Sequence, residues 1–179
     1  LIGSIGGGLE VFRQHFASFR PLVAATALGT AASVHTQGTA TLRARLATGI
    51  LPAARDTALV TVARTHIELN SALLAVLTGA RLAACGHPAA DTWSRAVKAS
   101  AVETAYRTAT ELPLLVGAAA FQADCSLAKA QRDLHGLLFA DGIHDALLRS
   151  AGRQLLSSDP AQAVDRAQQE TAPGATRAA

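Results

Sequence analysis

The chain has no methionine, one tryptophan, one tyrosine and five phenylalanines in 179 residues. Aromatic and β-branched residues fill pleated, half-buried surfaces, so their scarcity argues against a core built on sheets. Cysteine is nearly absent: Cys85 and Cys125 stand forty residues apart, with neither a CxxC pair nor Cys/His ligand spacing. A disulfide scaffold and a zinc site are thereby excluded as organising elements. Both thiols read as small buried residues in a reducing compartment. Charge is sparse, at 16% of residues, and its surplus is only +3 with a pI near 9.4. No dense Lys/Arg run occurs, so the basic stripe that nucleic acid would want is missing. Charges recur along each long apolar segment, and no membrane span is expected. The first eight residues have neither the basic start nor the apolar run of a secretory signal, which leaves the cytoplasm as the expected location. Beginning at Leu1, the sequence is expected to have been cut from something longer.

Half of the residues are apolar, chiefly Ala and Leu. That is enough for one substantial core, and strong helix formers extend over long stretches. Gly3, Gly6, Gly7 and Gly8 give residues 1–8 the character of a linker, expected to lead from a missing β-domain. Apolar residues then recur at helical spacing over 9–46 (Phe12, Phe16, Phe19, Val23, Ala27, Ala31), with a kink expected at Pro21. Thr48, Gly49 and Pro52 end this helix. A second is expected from near Ala53 to about Ala84, where Gly86, His87 and Pro88 stop it. Asp91 or Thr92 is the expected cap of a third, running past Trp93, a packing anchor, toward Gly117. Two short helices follow, over about 127–138 and 144–156. The Ala-, Gln- and Pro-rich remainder, 157–179, reads as a disordered tail. The expected fold is therefore all-α: an antiparallel helical bundle of three long and two short helices over residues 9–156. Its alanine stripes (Ala24, Ala27, Ala31; Ala80, Ala83, Ala84) suit close helix packing and an oligomer.

Several short segments in this order resemble the helical carboxy-terminal domain of acyl-CoA dehydrogenases. Leu1-Ile2-Gly3-Ser4-Ile5-Gly6-Gly7-Gly8-Leu9 looks like that family's exit from its middle β-domain. Phe19-Arg20-Pro21-Leu22-Val23-Ala24-Ala25 is similar to the Arg-Pro-x-Val-Ala-Ala that passes the acyl-thioester pocket. Arg45-Leu46-Ala47-Thr48-Gly49 stands where the family has Arg-x-x-Phe-Gly, a turn that reaches the flavin of the neighbouring subunit. Leu114-Leu115-Val116-Gly117-Ala118-Ala119-Ala120-Phe121 stands at its Gly-Gly-x-Gly turn over the dinucleotide. Lys129-Ala130-Gln131-Arg132-Asp133 resembles the start of its last helical hairpin, and Ala140-Asp141-Gly142 falls on Tyr-Glu-Gly, whose carboxylate is the catalytic base.

The resemblance implies FAD as cofactor, an acyl thioester of coenzyme A or an acyl carrier protein as substrate, and a homodimer or homotetramer formed through the helical domain. It assigns the base to Asp141, flavin contacts to Arg45, Thr48, Gly117 and Asp145, and substrate contacts to Arg20 and Gly142. No metal is implied, and His135 and His144 lack ligand spacing. The reaction removes the α-proton to a carboxylate in a dry pocket while hydride leaves the β-carbon. Asp141 is one methylene shorter than the family's glutamate, which sets its oxygens about 1.5 Å further back on an unchanged backbone. On the residues alone, Asp141 reads as a turn or capping residue, and Asp145 as a first-turn acid favoured by the helix dipole. A flavin-dependent monooxygenase on the same scaffold and a non-catalytic helical oligomerisation module are the alternatives. The departures at Thr48, Ala118, Ala119, Ala120 and Asp141 favour a biosynthetic carrier-protein substrate.

Overall fold

A computed structural model describes residues 3–49 and 55–157. The long apolar-periodic segments form three helices, α1 (Gly8–Ala47), α2 (Arg55–Ala84) and α3 (Ala90–Val116). A 3-10 turn over Ala118–Phe121 leads to α4 (Ser126–Leu137), and α5 (His144–Ser157) closes the order. Among the described residues there is no strand, so the all-α expectation holds. The expected start of α2 near Ala53, the breaker Pro52 and the tail beyond Ser157 lie outside the described residues.

Small residues on a helical stripe decide the packing. Ala24, Ala27, Ala31, Val34 and Gly38 of α1 are buried, and they meet Ala101, Ala105, Ala109 and Leu112 of α3. Side chains this short let two helix axes approach closely. A Cβ added at Gly38 would stand 3.7 Å from Leu112 Cβ, in ordinary contact. Pro21 is buried inside α1, which runs through it as one helix of 40 residues.

Cross-helix bonds give the directions. Arg20 reaches Asp91 at the start of α3 and Arg45 reaches Val116 at its end, so α1 and α3 run parallel. Arg107 pairs with Glu68 while Trp93 donates its indole N–H to the Ala75 carbonyl, so α2 runs antiparallel to both. α4 and α5 both descend along α3, with Gln131 beside Thr110, His144 beside Glu103 and Gln154 beside Asp91. The turn between them, residues 138–143, therefore lies against the first half of α3, the one helix that touches every other element.

Two local expectations are corrected. Neither Asp91 nor Thr92 caps α3, which starts from Ala89 with no side-chain cap. The His87 imidazole accepts the Ala89 N–H at 3.1 Å instead, and the Asp91 carboxylate is taken up by Arg95, Arg20 and Gln154. Cys85 is exposed and Cys125 half-buried, so neither is a core thiol. Trp93 does anchor α3 on α2, covering Gly79 and bonding Ala75, while keeping 39% of its surface in solvent.

α2 is bound on one face only. Ala58, Thr61, Thr65, Leu69 and Val76 are buried, whereas Leu59, Val60, Ile67, Leu74 and Leu77 are each more than half exposed. By length and composition its segment Asp56–Ala84 is apolar enough to cross a membrane, one 18-residue stretch of it having mean hydropathy 1.3. Its Arg64 and Glu68 nevertheless pair with Glu111 and Arg107 of α3.

The α1–α3 seam yields a paired expectation. Gly38→Ala should stabilise the fold by about 0.5–1 kcal/mol, because the methyl fits and helix propensity improves. Leu112→Ala, at a fully buried position, should cost about 2–5 kcal/mol. Urea unfolding of both variants checks the signs.

Candidate functional site

The α4–α5 turn is an unusual piece of backbone. Asp141 has φ 55°, the one positive value at a non-glycine among the described residues. Left-handed backbone costs an ordinary side chain about 1–2 kcal/mol, and Asp and Asn tolerate it best because their short polar groups bond locally. Gly142 follows at φ 118°, where a Cβ would also stand 2.8 Å from Leu147 Cδ2. The sequence Asp-Gly is thus what this backbone demands, and it holds the Asp141 carboxylate half-buried.

Charged groups from three helices converge on the turn. Lys98 of α3 is completely buried, and its ammonium donates to the carbonyls of Leu137 and Gly142, each at 2.9 Å. Burial pushes this lysine down to about 8; the charges of Asp141 and Glu103 oppose the shift, and Arg20 adds to it. His144 is buried with Nδ1 3.1 Å from Glu103 Oε1, while its Nε2 has no hydrogen-bond partner. Burial lowers its pKa, and the nearby Lys98 charge acts in the same direction against Glu103.

Arg20 of α1 is 5% exposed. Its guanidinium sits 4.8 Å above the Phe16 ring, with Nη1 3.5 Å from Asp91 Oδ1 and a buried Nε left unpartnered. Burial depresses its pKa, Arg95 adds to that, and the charges of Asp91 and Asp141 oppose it. Arg20, Asp141 and Gly142, three of the residues singled out from sequence, therefore share one electrostatic neighbourhood.

Asp145 is an exposed first-turn acid of α5, the position a helix dipole favours. It lines an open groove of about 310 Å³ with Glu103, Tyr106, Phe139, Ile143 and His144. Arg45 and Thr48 belong elsewhere. Arg45 follows Arg20 by 25 positions in α1, so the two are roughly 38 Å apart along the helix. Arg45 donates to the last carbonyls of α3, Leu115 at 3.3 Å and Val116 at 2.6 Å. Thr48 closes α1 through its own hydroxyl. Gly117 ends α3 at φ 85°, with nothing within 4 Å of where a Cβ would stand.

Lys98, Glu103 and His144 were not anticipated as parts of one cluster. Lys98 carried a legible signal: it lies on the buried stripe of Ser94, Val97, Ala101, Val102 and Ala105, where an unpaired cation would be costly. Among the described residues, no His/Cys/Asp/Glu group is arranged to hold a metal.

The family profile described as acyl-CoA dehydrogenase, C-terminal domain, matches residues 6–156, and the chain belongs to that family. No curated protein matches the chain.

Lys98 gives the site a pH signature. Its pKa is near 8 in the fold against an ordinary 10.5, so between these values the unfolded chain binds the proton more tightly than the native one. Stability contributed by this residue is then least below pH 8 and rises as pH climbs from about 8 toward 10.5. Urea unfolding of wild type and Lys98→Met at pH 7 and pH 9.5 should show their difference shifting in favour of wild type at the higher pH. A difference that stays constant would mean that the lysine titrates as it does in water.

Proposed function

We propose that this domain serves a flavin-dependent enzyme that desaturates an acyl thioester, carried on coenzyme A or an acyl carrier protein, between its α- and β-carbons. The observation that carries the reading is the Asp141 carboxylate, half-buried on a left-handed backbone and neighboured by the buried cations Lys98 and Arg20. Strained backbone persists where its surroundings over-determine it, and such places cluster at functional sites.

In this reading the Asp141 carboxylate takes the α-proton. Placement governs that step, since a displacement near 1 Å costs on the order of a hundredfold. A carboxylate one methylene shorter than glutamate would compensate through the position of its backbone, which the Lys98 bonds to Leu137 and Gly142 hold. Arg20 contributes positive potential beside the turn without occupying it, and Gly142 meets the substrate through backbone alone.

FAD, when bound, supplies the acceptor for the β-hydride. Arg45, Thr48 and Gly117, together at the ends of α1 and α3, fit part of such a site, and Asp145 lies in a separate groove beside Glu103. Arg45 gives two N–H groups to carbonyls, which leaves further guanidinium donors for an anionic diphosphate or ribose. Gly117 offers open backbone beside them. Thr48 and Asp145 are both exposed, available to the cofactor's remaining polar atoms. The long separation of Arg45 from Arg20 suits a cofactor shared between subunits, with the apolar outer face of α2 buried against a second copy.

Two outcomes check this reading. In the FAD-loaded full-length protein, Asp141→Asn should slow flavin reduction by an acyl thioester by about 10²–10⁴-fold, read as the anaerobic loss of flavin absorbance. Reduction at the wild-type rate would remove Asp141 from the base role. Leu74→Glu, which places a charge on the exposed face of α2, should lower the oligomeric mass seen by light scattering. An unchanged mass would move the interface off that face.

A further inference from the structure

Lys98 is the largest completely buried side chain of the bundle. An ammonium taken out of water is costly unless its hydrogen bonds are replaced. Its two carbonyl partners have a particular relation. Leu137 ends α4, where the last carbonyls have no partner within the helix, and Gly142 lies five residues on, at the far side of the turn. A single ammonium therefore closes the loop formed by Leu138, Phe139, Ala140 and Asp141.

We propose that Lys98 is a positioning residue for the Asp141 carboxylate, its buried ammonium tying the backbone on both sides of that residue and so fixing where the side chain stands. The proposal rests on the reading of Asp141 as the base. A cap for α4 alone would need only the Leu137 carbonyl. The second bond, to Gly142, reaches the residue directly after Asp141 and holds the backbone pair with φ 55° and 118°. The groups facing the ammonium are Asp141 of the turn, Glu103 of α3, His144 of α5 and Arg20 of α1. The two carboxylates favour its charge, and among the described residues no carboxylate forms an ion pair with it. The charge thus organises backbone, whereas a structural ion pair would have taken an acidic side chain.

The test uses the FAD-loaded full-length protein as wild type, Lys98→Met, Asp141→Asn and the double variant. Hydrogen–deuterium exchange reports the turn independently of any substrate. Lys98→Met should speed amide exchange confined to residues 138–143. It should also slow flavin reduction by an acyl thioester on the order of a hundredfold, with the half-saturating thioester concentration little changed. In the Asp141→Asn background the same substitution should slow reduction no further, because a residue that acts through the carboxylate has nothing left to position.

Exchange in residues 138–143 at the wild-type rate would overturn the proposal, as would an equal loss of rate in both backgrounds. If Lys98→Met does not fold, Lys98→Gln replaces it: faster exchange limited to the turn supports the proposal, and faster exchange spread over α3, α4 and α5 overturns it. A wild-type protein that reduces no flavin with any acyl thioester would sink the reading of Asp141 as base, while the exchange pattern would still decide whether Lys98 holds the turn.

Discussion

A lysine ammonium removed from water must find its hydrogen bonds in the protein, and in this bundle Lys98 finds them in two backbone carbonyls. The order of the surrounding structure depends on that requirement. To bring the Leu137 and Gly142 carbonyls within 2.9 Å of one nitrogen, α4 has to end where it does and the chain has to turn through a left-handed residue before α5 continues along α3. Asp141 accepts that conformation because a short polar side chain tolerates it, and Gly142 because no Cβ would fit against Leu147. The identity of the residues, the backbone they adopt and the placement of the carboxylate are one connected constraint.

Much of the fold was legible because helical periodicity is a repeated signal. The ends of α1, α3, α4 and α5 fell within a residue or two of where glycine, proline and the loss of apolar spacing put them. Individual side chains were less legible, because a polar residue near a helix end has several possible uses. Asp91 stood in a cap position, yet Arg95, Arg20 and Gln154 offered it three partners drawn from three helices, and the backbone N–H went to His87. Such competition depends on which helices meet, which local sequence does not encode.

The site divides along the same line. Asp141, Gly142 and Arg20 were pointed out by resemblance, and the bundle gathers them into one neighbourhood. The pairing of Glu103 with His144 was not anticipated, because it spans forty residues and depends on α5 descending beside α3. Lys98 could have been found by asking why a cation interrupts a buried stripe. At the far end of α1, Arg45 grips carbonyls of α3, a structural use that coexists with a cofactor role only if its free N–H groups face a ligand. The half-exposed apolar face of α2 gives that end a means of meeting a second copy, and a site assembled between copies would explain why the residues assigned to it lie so far apart in one chain.

The most direct measurement of the central claim isolates proton removal from hydride transfer. An acyl thioester with sulfur in place of the β-carbon cannot be desaturated, yet its α-hydrogens can still exchange with solvent. Incubated in D₂O with the FAD-loaded full-length protein, it should gain deuterium at the α-carbon, and the gain should vanish with Asp141→Asn. Failure of the wild-type protein to exchange, or exchange that survives loss of the carboxylate, would contradict the placement of a base on this turn.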